Sequence, residues 1–239
     1  MAELSARERI ILAVDTSREQ DAERLVGVAK EAGARFVKLG LELSSATSWR
    51  YCSELAAGEG LDWVADAKLD DIPNTVVGAV KNIKGLEHPP FGITMHTTAG
   101  KEVMRAAQET AEEIKMLGVT VLTSIKDEEG ERLYRVPIQQ KVVELARDAV
   151  SVGLKGVVSS PLEVGLIKGS PDTAGLFAMI PGTRSVSAEH ADQARVGTPA
   201  GAIRDGADLL VIGRQITQAE DPAQAFEELV IEIQGAVNE

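Results

Sequence analysis

The stretch Ile10-Ile11-Leu12-Ala13-Val14-Asp15-Thr16-Ser17 decides how the rest of the chain is read. An unbroken apolar run ends on an acidic residue and two hydroxyls, with no G-x-G-x-x-G turn behind it. A doubly wound sheet that binds a dinucleotide places such a turn after its first strand. A run apolar on both faces suits instead a parallel strand buried on either side. Outward from it, Arg18–Ala32 is amphipathic with helical spacing, and Phe36–Leu39 is the next apolar run. The alternation then continues along the chain. Predicted strands are Ile10–Val14, Phe36–Leu39, Trp63–Ala67, Gly92–Met95, Thr120–Thr123, Gly156–Val158, Phe177–Ile180 and Leu209–Ile212. Predicted helices are Arg18–Ala32, Ser45–Ala57, Ile72–Ile83, Lys101–Leu117, Ile138–Ser151, Pro161–Lys168, Pro199–Asp205 and Pro222–Val237. Prolines near the first turn mark three of these starts, at Pro73, Pro199 and Pro222. Eight βα units in 239 residues are the count for a closed (β/α)8 TIM barrel. No linker, composition shift or low-complexity tract divides the chain, so one domain over residues 1–239 is predicted.

Composition agrees. Apolar residues make up 44% but aromatics only 3%, so the core must be built from Val, Leu, Ile and Ala. A net charge of −12 argues against a nucleic-acid backbone or an anionic membrane as partner. It leaves room for a small phosphorylated ligand, which a few local cations and amides can hold. The lone Cys52 cannot form an intramolecular disulfide, which fits a reducing compartment. With no apolar run near the ~20 residues of a membrane span and no signal-like N-terminus, a cytoplasmic location is expected.

In such a barrel the loops at the carboxyl ends of the strands build the active site. The longest follow strand five (Ser124–Val136, with Asp127-Glu128-Glu129-Gly130) and strand seven (Gly182–Gly197), and both are candidate lids. The acidic run from Asp127 to Glu131 reads as a solvated lid edge, without calcium-loop spacing. The densest chemistry is Asp66-Ala67-Lys68-Leu69-Asp70-Asp71-Ile72-Pro73-Asn74-Thr75. Strand alternation sends Asp66 and Lys68 to the same side. Earlier strand ends add Asp15 and Lys38. Taken singly, Asp71 and Asp15 read equally well as helix caps, and Lys68 as a surface lysine paired with Asp66. Their convergence on one barrel end is what packing does not explain. Near the C-terminus, the strand Leu209–Ile212 runs into Gly213-Arg214, where a close backbone and a guanidinium suit a phosphate. Three scattered histidines and one cysteine give no recognisable zinc site.

The pattern Asp66-x-Lys68-x-x-Asp71-Ile72-Pro73-Asn74-Thr75 resembles the signature of orotidine 5'-phosphate decarboxylases. Pro181-Gly182-x-Arg184, Asp192-Gln193-x-Arg195-Val196-x-Thr198-Pro199 and Gly213-Arg214-x-Ile216-Thr217 follow in the family's order, so the likeness runs from Asp15 to Thr217. It implies catalytic roles for Lys38, Asp66, Lys68 and Asp71, with Asp71 and Thr75 acting in the neighbouring subunit's site of a homodimer. It implies substrate contacts from Asp15, Lys38, Thr75, Pro181, Arg184, Gln193, Gly213 and Arg214. Gln193 would bridge pyrimidine and phosphate, and Thr123, with Ser124 as the adjacent possibility, would read the pyrimidine edge. Two departures stand out: Asp70 replaces the histidine common before Asp71, and the residues flanking His96 differ from the usual ones.

The implied reaction converts orotidine 5'-monophosphate (OMP) to UMP and CO2 with no metal or organic cofactor. Lys68, kept as an ammonium by its acidic neighbours, would steady the C6 carbanion and then protonate it. Two rivals share part of the pattern. A metal-dependent sugar-phosphate decarboxylase or aldolase of the same superfamily would need further carboxylates for Mg2+. A non-catalytic nucleotide-binding barrel would have no use for a positioned proton donor.

Overall fold

A computed structural model describes residues 4–185 and 197–237. Eight parallel strands close into a barrel in chain order, with the last pairing to the first. They are β1 (Ile10–Val14), β2 (Phe36–Gly40), β3 (Asp62–Leu69), β4 (Gly92–His96), β5 (Lys115–Val119), β6 (Gly156–Val158), β7 (Phe177–Pro181) and β8 (Leu209–Ile212). The helices are α1 (Glu19–Glu31), α2 (Leu41–Ala46), α3 (Trp49–Gly58), α4 (Pro73–Lys84), α5 (Lys101–Ala111), α6 (Asp127–Tyr134), α7 (Ile138–Ser151), α8 (Val164–Gly169), α9 (Pro199–Arg204), α10 (Arg214–Thr217) and α11 (Pro222–Val237).

The period of two along each strand sorts side chains into two cores. Leu12, Val37, Trp63, Ala65 and Leu210 face outward and pack under the helices. Ile11, Ala13, Phe36, Val64, Phe177, Met179, Leu209 and Val211 fill the barrel. Inside, the inward positions change character from bottom to top. Phe36, Phe91 and Phe177 close the amino-terminal end, with centroids 5.0 and 5.6 Å apart, and the Lys115 ammonium lies 4.4 Å from the Phe91 ring centre. Two residues further on, Phe36 gives way to Lys38, and Val64 to Asp66. The same alternation that builds the apolar plug therefore delivers charge to the carboxyl end. The barrel narrows where β6 meets β7. A Cβ at Gly156 would lie 2.6 Å from the Phe177 carbonyl oxygen, so only glycine allows that approach.

Strand five differs from its prediction. It spans Lys115–Val119, not Thr120–Thr123, and the preceding helix stops at Ala111 rather than continuing to Leu117. Glu112 adopts φ 54°, a conformation that ends a helix, and Met116 and Leu117 are needed to fill the barrel wall. The β-branched run that reads as strand instead continues past its carboxyl end. The Thr120 N–H still donates to the Val158 carbonyl at 3.0 Å, and Val121, Leu122 and Thr123 form a rim. The single predicted helix Ser45–Ala57 divides at Ser48, whose hydroxyl accepts from the Tyr51 N–H at 3.1 Å and caps α3. The predicted strand-five lid holds a helix of its own, α6, whose first turn carries Asp127, Glu128 and Glu129 as the helix dipole favours.

Candidate active site

At the carboxyl end of the barrel lies a cavity of about 300 Å³, a size suited to one small ligand. Its lining includes Asp15, Lys38, Asp66, Lys68, Thr123, Pro181, Arg184, Gly213 and Arg214. Residues from six different strand ends thus converge although they are up to about two hundred positions apart in the chain.

A continuous charged chain crosses one side. Lys38 Nζ donates to Asp15 Oδ1 and to Asp66 Oδ2, both at 3.0 Å, and Lys68 Nζ donates to the same Asp66 Oδ2 at 2.7 Å. Lys38 and Asp66 are buried, whereas the Lys68 side chain keeps 36% of its surface open, on the cavity. Burial alone would push the Asp66 carboxyl up, but the Lys38 and Lys68 ammonium groups outweigh it and hold that carboxyl far below the usual carboxylate range. Burial disfavours the charge on Lys38 as well; Asp66 and Asp15 reverse the effect and raise its pKa.

Simple alternation does not account for Lys68. The β3–β4 register runs from Ala65↔Ile93 to Leu69↔Met95, so four steps on β3 face two on β4. Within this bulge Lys68 takes φ 45°, a left-handed conformation that costs a non-glycine residue roughly 1–2 kcal/mol. Thr94, fully buried on β4, holds it there. The Thr94 hydroxyl accepts from the Lys68 N–H at 2.9 Å and donates to Asp66 Oδ1 at 2.8 Å. Both Asp66 oxygens are thereby committed, one to two ammonium groups and the other to a hydroxyl.

Of the remaining predicted residues, Thr123 lines the cavity, whereas Ser124 is exposed and does not. The Arg184 guanidinium is buried and donates to the Thr183 carbonyl at 2.8 Å. Gln193 lies outside the described residues. Asp71 and Thr75 are exposed and absent from the lining of their own subunit's cavity. Among the described residues no side chain caps α4, and Asp71 Oδ1 accepts instead from the adjacent Ile72 N–H at 2.6 Å. His96 is half-buried at the end of β4, where desolvation lowers its pKa, and it stays outside the cavity wall. Among the described residues, no three His, Cys, Asp or Glu side chains group as metal ligands, and no helix is long and apolar enough to cross a membrane.

Sequence reasoning missed Thr94, a threonine inside an apolar strand whose partner is known only once β3 and β4 are paired. It also missed the apolar wall of Val119, Val121, Val158, Met179 and Val211, and Ser159, whose buried hydroxyl has no partner among the described residues.

Known proteins resemble this chain over most of its length. The chain matches the family described as Orotidine 5'-phosphate decarboxylase / HUMPS over residues 8–229. An orotidine 5'-phosphate decarboxylase of Opitutus terrae is 38% identical over 237 residues, covering 94% of this chain and 97% of its own. That of Carboxydothermus hydrogenoformans is 37% identical over 240 residues, covering 97% and 98%. The crystal structure of the Lactobacillus acidophilus orotidine 5'-phosphate decarboxylase aligns with a TM-score of 0.78 at 29% identity, covering 95% of this chain and 99% of that one. With the match spanning nearly the whole barrel, this chain belongs to the orotidine 5'-phosphate decarboxylase / HUMPS family.

Proposed function

We propose that this chain decarboxylates OMP to UMP and CO2, as an enzyme of pyrimidine biosynthesis, with Lys68 as the group that meets the reacting carbon. The observation that carries the reading is the buried Lys38–Asp66–Lys68 relay, which fixes one ammonium at the wall of a ligand-sized cavity. The lining holds groups suited to each part of such a substrate: Arg184, Gly213 and Arg214 would take the phosphate, Thr123 the pyrimidine edge, and Asp15 and Lys38 the ribose.

In the reaction, the bond from C6 to the carboxylate carbon breaks heterolytically. CO2 leaves, and the electron pair stays on C6. No ring π-system is aligned to take up that charge, so stabilisation must come from a cation already in place. The Lys68 ammonium meets it and transfers one proton from Nζ to C6, forming UMP; solvent then reprotonates the amine. Lys38 and Asp66 hold Lys68 in position without reorganising during the step. Binding of the remote phosphate contributes energy to closing the site. No metal or organic cofactor enters this scheme.

We further infer a homodimer in which Asp71 and Thr75 complete the partner's site, with Asp71 beside the substrate carboxylate. Their exposure at the start of α4, next to an Ile72 that is 66% exposed, supports a face covered by a second copy. A cytoplasmic setting fits the single buried Cys52, whose thiol burial pushes up to about 12.

The test is the fall in ultraviolet absorbance when OMP is added to the purified protein, with and without EDTA. Turnover in both arms is expected. No absorbance change would refute the activity, and loss only with EDTA would favour the metal-dependent relatives.

A further inference from the structure

Outside the charged relay, a second polar cluster ties together the two chain segments that carry the cavity's arginines. Arg184 and Arg214 are each followed by a residue that reaches for the other's neighbour. The Ser185 N–H donates to Gln215 Oε1 at 3.3 Å, and Gln215 Nε2 donates back to Ser185 Oγ at 2.7 Å. This reciprocal pair staples the end of the β7 segment to the start of α10 across 30 residues of sequence. Glu232, on α11, anchors the staple. Its Oε2 accepts from Ser185 Oγ at 2.6 Å, while Oε1 accepts from the Ala200 N–H at 3.4 Å. Ala200 lies in the first turn of α9, which Thr198 caps through its hydroxyl and the Gly201 N–H at 3.0 Å. Both flanks of the long strand-seven connection therefore converge on one carboxylate of the last helix.

We propose that Glu232, acting through Ser185 and Gln215, is a positioning residue for the phosphate end of the site. It sets the spacing of Arg184 and Arg214 without touching the ligand. The inference rests on the reading that those two arginines hold the substrate phosphate. Its physical basis is that a planar guanidinium grips phosphate only in register. Two such grips act together only if their backbones keep a fixed separation. The parallel bridge Thr183↔Gly197 and the Arg184 N–H bond to the Gly197 carbonyl at 2.9 Å hold the same segment from the other side. The cluster joins these to α11, which packs on α9 and α10.

The test compares UMP with uridine in binding to Ser185→Ala, Gln215→Ala, Glu232→Ala and Glu232→Gln, each with OMP kinetics alongside. The expected result is a weakening of UMP binding and a rise in KM for OMP of about tenfold, the equivalent of one or two lost hydrogen bonds. Uridine affinity should stay unchanged, and kcat should stay within about twofold. A cluster that only stabilises the fold would lower the melting temperature and leave the UMP-to-uridine preference intact; that outcome overturns the inference. So does equal weakening of both ligands. If the unmodified protein itself bound UMP no better than uridine, the phosphate reading beneath it would be the part that fails. Should Glu232→Ala not fold, Ser185→Ala removes the central node with a change of one oxygen and decides the question alone.

Discussion

Replacing Thr94 by valine isolates the device that holds Lys68 in place. The change preserves shape and removes one hydroxyl from a fully buried position. Two hydrogen bonds go with it: the donor to Asp66 Oδ1 at 2.8 Å and the acceptor for the Lys68 N–H at 2.9 Å. A bond to a charged group contributes about 1.5–3 kcal/mol and a neutral one about 1, so the variant should lose about 3 kcal/mol of stability. For a chain of this size that corresponds to a fall in melting temperature of roughly 6–12 °C. Activity should fall further than binding. Lys68 sits at φ 45° in a bulge that the Thr94 hydroxyl helps to fix. Once released toward ordinary strand geometry, the Lys68 side chain leaves its place on the cavity wall. The expected kinetic signature is a kcat reduced by about a hundredfold, as for loss of a positioned acid or electrostatic group, with UMP affinity changed only severalfold. Urea titration, calorimetry and the OMP absorbance assay measure these three quantities. A variant within about 0.5 kcal/mol of the parent in stability, with kcat intact, would refute the reasoning that Thr94 holds the relay.

Three further outcomes follow from the same geometry. Lys68→Ala should abolish turnover while UMP still binds, since the role proposed for it lies in the transition state; an unchanged kcat would remove it from the mechanism. Lys38→Met should cost about 3–5 kcal/mol by leaving the buried Asp66 short of one of its two ammonium partners. Its pH dependence has a definite sign: the depressed Asp66 pKa gives stability that is present above its unfolded value of about 4 and lost as pH falls. The raised Lys38 pKa gives stability that is present below 10.5 and lost as pH rises. Removing Lys38 leaves Asp66 less depressed, so Lys38→Met followed across pH should lose less stability on acidification than the parent and show no alkaline contribution from residue 38. Finally, mixing inactive Asp71→Ala and Lys68→Ala proteins should restore part of the activity through hybrid dimers; no recovery after verified subunit exchange would speak against a shared site.

Much of this molecule is legible in its sequence because strand periodicity is local. Ile10–Val14, Gly156–Val158 and Leu209–Ile212 fall where their apolar runs end. The charged positions Asp15, Lys38 and Asp66 follow from the same alternation that buries Phe36 and Val64. Strand five was misread because Thr120–Thr123 is intrinsically as strand-like as Lys115–Val119. What separates them is which segment fits opposite Gly92 and Gly156, a matter of contacts far along the chain.

The sequence by itself determined the repeating βα order, the barrel and the identities of the relay residues, since each rests on a pattern within a few positions. Only the tertiary structure decided that one oxygen of Asp66 serves two lysines and that Thr94 occupies the other. The same holds for the positive φ of Lys68 in a bulge, and for Ser185, Gln215 and Glu232 meeting beside the arginines. Hydrogen-bond partners are fixed by registers and helix packings that join residues tens to hundreds of positions apart, and no local pattern encodes that distance.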